Sequence, residues 1–439
     1  MATYLNKTLG TATNRKKFTI SAWCKRSNAG DVDYIMAAGT DSNNYIDDLR
    51  FDGAGKLIFD GYSTGSTYRL KTNRLFRDVA AWYHVVVRYD STQSTSSERL
   101  KMYVNGEGQT DFETATYPTL NYETFFNKNV EHMVGRNLNG SGYYSGYIAQ
   151  LIFVDGSALS EASFGSFNSD GVWIPNNSPS ITYGNNGFKL DFADSGASAA
   201  TGNFGSDSSG NNNHFASNSL GTYPNTKDTP QNNFCILSNI DNQSVALSKG
   251  GLDFDSSGGN DEGIRGTMGV LAGKWYYECK ITGSAGLSAG NIGFAQPTYK
   301  LKNNPRGGQG MFVNGSASLN LFNFSSSGTS LDAGAGVVQN DIIGFALNLT
   351  DNQLTVYKNG TQVGSTQTIA SGLTSSGEFF LPVIVDDGGS NDVVGSFNFG
   401  NPTFTIASSN SDANGYGSFE YAVPSGYYAL CTKNLATYG

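Results

Sequence analysis

Charge is scarce in this sequence. Charged residues make up only 15% of the 439 positions, against roughly 25% in an average globular domain. Long polar helices draw on Glu, Lys and Ala, so the composition excludes a helical architecture. Cysteine occurs four times. Cys24, Cys235, Cys279 and Cys431 stand far apart with no paired spacing, which argues against a zinc site. Dense positive charge is missing too. The net charge of −9 and pI near 4.9 leave no basic footprint for nucleic acid. The one basic cluster, "NRKKF" (Asn14–Phe18), reads as the flank of an edge strand rather than a phosphate site. No apolar run approaches the ~20 residues of a membrane span, and the opening residues lack the apolar stretch of a secretion signal. The expectation is synthesis in a cytoplasm, no membrane insertion, and reduced thiols serving as small core residues.

What is abundant is turn and strand material. Glycine occurs 55 times and aromatics reach 13%. Short aromatic and β-branched runs alternate with Ser, Asn, Gly and Thr, the mix of an all-β chain. "FTISAWCK" (18–25) sets Phe18, Ile20, Ala22 and Cys24 on one face. "LRFDGAGKLIFDGYS" reads as a hairpin around Gly-Ala-Gly, and "ALSEASFG" (158–165) as a helical turn. From 169 to 235 the sequence turns to loop chemistry, with "FKLDFAD" (188–194) as a possible strand. From 236 onward strands resume with "GKWYYECKITG", "NIGFA", "DIIGFALNLTD" and "FFLPVIVDD". "PSGYYALC" (424–431) predicts a C-terminal segment tied into a sheet. The expected domains are 1–168, a connector at 169–235, and 236–439.

Two stretches share a device. "LKMYVNGEG" (100–108) and "LTVYKNGTQ" (354–362) both carry Leu, an aliphatic residue, Tyr and Asn-Gly at matching positions. Asn-Gly is the strongest short hairpin signal, because both residues tolerate positive φ. Leu100, Met102 and Val104 then share one face, as do Leu354 and Val356, with Tyr103 and Tyr357 opposite. Flanking strands do not align, so the motif marks two diverged domains rather than a recent repeat.

"FTISAWCKRS", "WYHVVVRYD", "LKMYVNGE" and "GYIAQLIFVDGSALSEASFG", in that order, resemble a laminin-G or pentraxin-type domain of the concanavalin A-like superfamily over about 18–168. "GKWYYECKITG", "NIGFA", "DIIGFALNLTDNQLTVYKNG", "FFLPVIVDD" and "SFNFG" resemble a SPRY (B30.2-like) domain over about 270–400. The resemblance implies two concanavalin A-like jelly-roll β-sandwiches joined by a loop-rich connector. The whole order, with "LDFADS…DSSGNNNHF…TKDTPQNNF" and a terminal "VPSGYYALCTKNL", resembles virion proteins of marine tailed bacteriophages. It implies a place on the virion surface, oligomeric packing among other virion proteins, and host attachment through a cell-surface glycan or receptor. A structural capsid-decorating or tail-associated role is the alternative, and a carbohydrate-active enzyme a third reading. No heptad stretch encodes a fibre shaft.

Catalytic patterns are hard to find. None of the ten Glu falls in the Glu-x-Asp-x-x-Glu spacing of superfamily glucanases. No Gly-x-Ser-x-Gly elbow accompanies His84, His132 or His214, although a Ser-His-Asp arrangement stays open at this level. The expectation is no enzyme and no cofactor, with calcium as the one open case. Asp41, Asp47 and Asp48 in "DSNNYIDD", and Asp207 in "DSSGNNN", offer oxygens for calcium or, alternatively, close Asx-turns. For ligand-binding loops the candidates are Tyr62, Tyr68, Tyr143, Tyr144, Asp386 and Asp387. The tyrosines serve equally as contacts to neighbouring subunits.

Overall fold

The computed structural model describes residues 3–221, 225–256, 262–288, 290–301, 309–325, 327–332, 336–386 and 393–439. The chain gathers into two compact units, Met1–Asn225 and Thr226–Gly439. Both are β-sandwiches. The α-helices among the described residues are short, Ser371–Thr374 and Thr432–Tyr438. Among the described residues no helix is long and apolar enough to cross a membrane.

The first unit packs an eight-stranded sheet on a six-stranded one. The larger runs Phe112–Thr116, Ser66–Leu75, Lys56–Ser63, Tyr45–Phe51, Asp33–Asp41, Glu131–Val134, Tyr4–Thr8 and Ala216–Asn218. The smaller runs Phe188–Leu190, Gly146–Asp155, Lys17–Arg26, Tyr83–Asp90, Leu100–Val104 and Glu107–Gly108. Phe18, Ile20, Ala22 and Cys24 enter the core together, as the alternation requires. Phe18 stacks between Tyr89 and Phe153, with ring centroids 4.7 and 5.6 Å away. The basic cluster needs correcting. Lys17–Arg26 is a central strand, not an edge, and the charges beside it are paired: Arg15 with Glu123 and Lys17 with Asp90. Much of 169–225 is woven into this unit. Phe188–Leu190 and Ala216–Asn218 extend its sheets, and Phe188, Leu190 and Phe215 lie in its core.

The second unit opposes two further sheets. One runs Leu237–Gln243, Gly263–Gly266, Leu381–Asp386, Gly290–Ala295, Gly310–Asn314, Leu319–Asn323 and Thr329–Asp332. The other centres on Lys274–Ile281, Ile342–Asn348 and Gln353–Lys358. Tyr277 joins the layers. Its ring meets Phe294, Phe345, Phe397 and Phe399, and its hydroxyl donates to Gly293 O at 2.6 Å. The C-terminal segment is tied in, since Tyr428–Ala429 pairs in parallel with Lys274–Ile281. All four cysteines are buried as thiols.

The Asn-Gly hairpins are built alike in both units. Asn105 and Gly106 adopt φ of 51° and 80°, Asn359 and Gly360 49° and 77°. Asn105 N–H donates to His84 O at 2.9 Å while its Oδ1 accepts from His84 N–H at 2.7 Å. Asn359 repeats this with Ile342 at 2.8 and 2.9 Å. Each Asn side chain thus adds one rung to the ladder beyond the strand end. Each turn glycine also sits under an aromatic ring: a Cβ on Gly106 or Gly360 would stand 2.5 Å from Trp173 or Tyr421.

Asn359→Ala removes that rung and leaves Ile342 N–H short of an acceptor, so it should lower unfolding free energy by about 1–3 kcal/mol. Gly360→Ala adds left-handed strain of about 1–2 kcal/mol to a steric clash, so it should be the worse of the two. Urea midpoints of the two variants against the parent check the order.

Candidate functional site

The outer faces of the four sheets differ. Three carry apolar clusters capped by other segments of their own unit. On the six-stranded sheet, Val86, Ile152 and Val154 lie under Phe164, Leu159, Ile181 and Tyr183. On the sheet holding Lys274–Ile281, Tyr276 and Ala346 lie under Phe234, Phe419, Ala429 and Cys431. On its partner sheet, Phe312, Phe322, Val383 and Val385 pack with Tyr299 and Leu301. Among the described residues, the outer face of the eight-stranded sheet has no comparable apolar cap. Its small aliphatic patch, Ala37, Ile46 and Met133, is bordered by Tyr4, Tyr34 and Leu138.

Register explains how this face is made. Ala37 stands opposite Asp48, Asp48 opposite Asp60, and Asp60 opposite Arg69. Alternation adds the row of Arg50 and Ile58 on one side and the row of Ile46 and Tyr62 on the other. Arg50 bonds both Asp48 and Asp60, and donates to the two Asp60 oxygens at 2.9 and 3.2 Å. Arg69 Nε adds a 2.8 Å bond to Asp60. Arg50 also lies 5.4 Å from the centre of the Tyr34 ring.

One corner is formed by the glycine-rich loop after Glu131–Val134. The Arg136 guanidinium lies 3.5 Å over the Tyr4 ring and 5.9 Å from that of Tyr143, and the two rings meet edge-on at 6.2 Å. Tyr34 N–H donates to Gly142 O at 3.1 Å, and Asn137 Nδ2 donates to Tyr34 Oη at 3.2 Å. Gly142 has φ of 59°, and a Cβ there would stand 2.4 Å from the Tyr34 ring, so only glycine lets the loop lie against it.

The structure brings Tyr62 and Tyr143 to this face. Tyr62 is 36% exposed at the end of Lys56–Ser63. Two other tyrosines need correcting. "DGYSTGSTY" is a tight hairpin rather than a loop, so alternation turns Tyr68 inward, fully buried among Phe59, Tyr89 and Tyr122. Tyr144 follows Tyr143 and points the other way, packed on the core beside Cys24. Asp386 is buried and accepts from Ser256 Oγ at 2.7 Å. Asp387 lies outside the described residues. Sequence reading missed Tyr4, Tyr34 and Arg136, whose meeting depends on long-range pairing. Arg50 and Asp60 were readable from the alternation of "YIDDLRF" and "KLIFDGY".

The calcium candidates are dispersed. Asp41 closes an Asx-turn, accepting from Asn43 N–H at 2.8 Å and Asn44 Nδ2 at 3.1 Å. Asp47 and Asp48 sit on opposite faces of one strand, Asp47 accepting from the Phe125 and Phe126 amides. Asp207 accepts from Lys189, Ser209 and Asn213 N–H and from Ser209 Oγ. Among the described residues no group of three or more His, Cys, Asp or Glu is set to hold a metal.

His84 does meet a serine, in the wrong protonation state for catalysis. Trp173 Nε1 donates to His84 Nδ1 at 2.9 Å, and His84 Nε2 lies 2.8 Å from Ser21 Oγ. Indole is a donor only, so Nδ1 accepts and Nε2 carries the proton. A base for Ser21 would need the reverse. Burial lowers His84 to about 3.

Two sequence families match. Residues 3–163 match the model described as the concanavalin A-like lectin/glucanases superfamily, and residues 274–402 match the SPRY domain. The chain therefore combines a concanavalin A-like domain with a SPRY domain. Among solved structures, the SPRY domain of human HERC1 is 14% identical, with a TM-score of 0.32, covering 38% of this chain and 99% of its own. A putative carbohydrate binding protein from Bacteroides ovatus is 18% identical, with a TM-score of 0.32, covering 49% and 56%. A SAP-like pentraxin from Limulus polyphemus is 17% identical, with a TM-score of 0.28, covering 40% and 87%. No curated protein sequence matches the chain.

Buried titratable groups in the first unit oppose one another. His84 and His132 are lowered by burial to about 3 and about 4, so between pH 6.5 and those values protons bind the unfolded chain first and weaken the fold. Burial raises Asp33 to about 6 and Asp47 to about 7, which favours the fold as pH falls from 7 toward 4. Stability should thus vary little between pH 4.5 and 6.5. Asp47→Asn removes one opposing group, so its unfolding free energy, read from urea titrations, should fall as pH drops from 7 to 5, by up to about 1.4 kcal/mol per pH unit.

Proposed function

We propose that this chain is a binding protein of a phage virion, exposed on the particle and engaged in host attachment, with the outer face of the eight-stranded sheet as its glycan-binding surface. The observation that carries the reading is the contrast between that face and the three others. Where the other sheets bury apolar clusters under their own chain, this one presents tyrosines and the arginines of an Asp–Arg ladder, whose carboxylates lie buried beneath them. Tyrosine rings offer faces to sugar rings, and carboxylates and guanidinium groups bond hydroxyls. Two domains of binding type support it, as does the resemblance in order and terminal motif to phage virion proteins.

The reading is non-catalytic. Asp48 and Asp60 lie opposite each other, but both are engaged by Arg50, which leaves no acid and base flanking an open space as glycoside hydrolysis requires. It is also metal-independent, because the carboxylates weighed for calcium bond the protein's own N–H groups.

A structural role in the particle has its own support. The hairpin Gly165–Phe167/Trp173–Pro175 exposes Phe167 at 54%, Val172 at 55% and Ile174 at 36%. Such a patch suits contact with another virion subunit.

Purified protein should bind host cells, with and without a chelator, and antibody against it should block phage adsorption. If it neither binds cells nor, as antibody target, affects adsorption, while Phe167→Ser disrupts particle assembly, the structural role replaces attachment. Release of sugars from host polysaccharide would overturn the non-catalytic reading.

A further inference from the structure

Most arginines of the first unit's core and sheet faces find acceptors. Arg26 bonds Asp33, Arg50 and Arg69 bond Asp60, and Arg99 bonds the carbonyls of Gln93, Ser94 and Pro118. Arg136 is different. It is half-buried, its Nε is shut off from solvent without a partner, and among the described residues no carboxylate or carbonyl accepts from it. Its contacts are a 3.4 Å approach of Nη1 to Tyr143 Oη and a 3.9 Å approach of Nη2 to Met133 Sδ. The guanidinium is nevertheless held in place, over the Tyr4 ring. Gly140 keeps the space beside it clear: φ is 78°, and a Cβ there would stand 3.3 Å from Nη1.

A guanidinium carries five N–H donors in a planar fork that matches an oxyanion in bidentate fashion. Held by stacking and short of acceptors, it is ordered before a ligand arrives. We propose that the Arg136 corner is the subsite for an oxyanion carried on a saccharide, either the carboxylate of an acidic sugar or a sulfate ester. The inference rests on the reading of this face as a glycan surface and names the class of glycan. A saccharide suits the face better than an acidic peptide. From Tyr4 to Tyr62 spans four strand spacings, about 19 Å of sheet, with tyrosines at both ends, Asp48 and Arg50 between them, Asp60 on the strand of Tyr62 and Arg69 on the strand beyond. Peptide docking would draw on apolar pockets or a free strand edge instead. The net charge of −9 also means that bulk electrostatics repel polyanions, so any retained polyanion must be held by a local site.

The test measures binding of the full chain to immobilised polyuronate, sulfated dextran, neutral dextran and polyglutamate at about 0.15 M salt. Polyuronate or sulfated dextran should be held at least about 10-fold more tightly than neutral dextran. Arg136→Ala should abolish that preference. Arg136→Lys, which keeps charge and stem but loses the fork, should restore only part of it, with melting temperature followed for both. If neutral dextran binds as well as the anionic polymers and Arg136→Ala changes nothing, the oxyanion subsite is wrong while the glycan face stands. If polyglutamate binds as tightly as polyuronate, the saccharide assignment is overturned. If neither polymers nor host cells bind, both readings fall.

Discussion

Asp155 accepts hydrogen bonds from Thr13 N–H at 2.6 Å, Asn14 N–H at 3.1 Å, Asn186 N–H at 3.0 Å and Asn127 Nδ2. One carboxylate at the end of a central strand thus gathers three segments that are distant in sequence. Glu278 does the same in the second unit, taking the Glu420 and Tyr421 amides and Asn398 Nδ2. Asp412 holds the C-terminal segment through Asn414, Tyr416 and Ala429 N–H and Asn434 Nδ2. A chain rich in glycine, asparagine and serine has long connections with few apolar anchors. Their buried amides must find acceptors, and buried carboxylates supply several at once. Such bonds to charged groups contribute roughly twice what neutral ones do. Much of the architecture depends on this constraint, because one covered sheet face in each unit is covered by segments pinned in this way.

The same constraint locates the open face. The hairpin carrying Trp173 lies over His84, and Glu278 fixes Glu420 and Tyr421 beside Phe419, so one outer face in each unit is sealed by chain held at defined points. On the eight-stranded sheet the polar groups satisfy one another across strands instead. Asp60 and Arg50 need no overlying segment, so the face stays polar, with its carboxylates buried beneath their arginines and Arg69 and Tyr62 at its surface. An outer face built from cross-strand ion pairs can exchange part of its hydrogen bonding with a ligand without unfolding anything.

Much of the fold was legible because alternation and Asn-Gly turns are local signals. The core face of 18–25, the hairpin after "LRF", and both Asn-Gly turns follow from neighbours within ten residues. The site was less legible. Tyr62 and Tyr68 look equivalent in sequence, and only the two-residue turn at Thr64-Gly65 puts one outside and one in the core. Asp47 and Asp48 differ by one position and by a whole face. Arg136 carries no sequence mark of its own. Its character comes from Tyr4, more than 100 residues away, and from the absence of an acceptor, which no pattern reports.

The paired Asn-Gly hairpins tie these threads together. In each unit the turn leads into a two-residue strand, Glu107–Gly108 or Thr361–Gln362. In the first unit that strand is the edge of its sheet. Very short edge strands protect a sheet from pairing with other chains, and the Asn side chain saturates the neighbouring strand at the same point. The aromatic lid over each turn glycine, Trp173 or Tyr421, comes from a later segment anchored by its own bonds to His84 or Glu278. The hairpin is therefore both a strand terminus and a docking point for the segment that seals the outer face. It explains why two domains with unlike flanks keep the same motif. The turn itself is used in closing the sandwich, whereas among the described residues no segment docked in this way covers the outer face of the eight-stranded sheet.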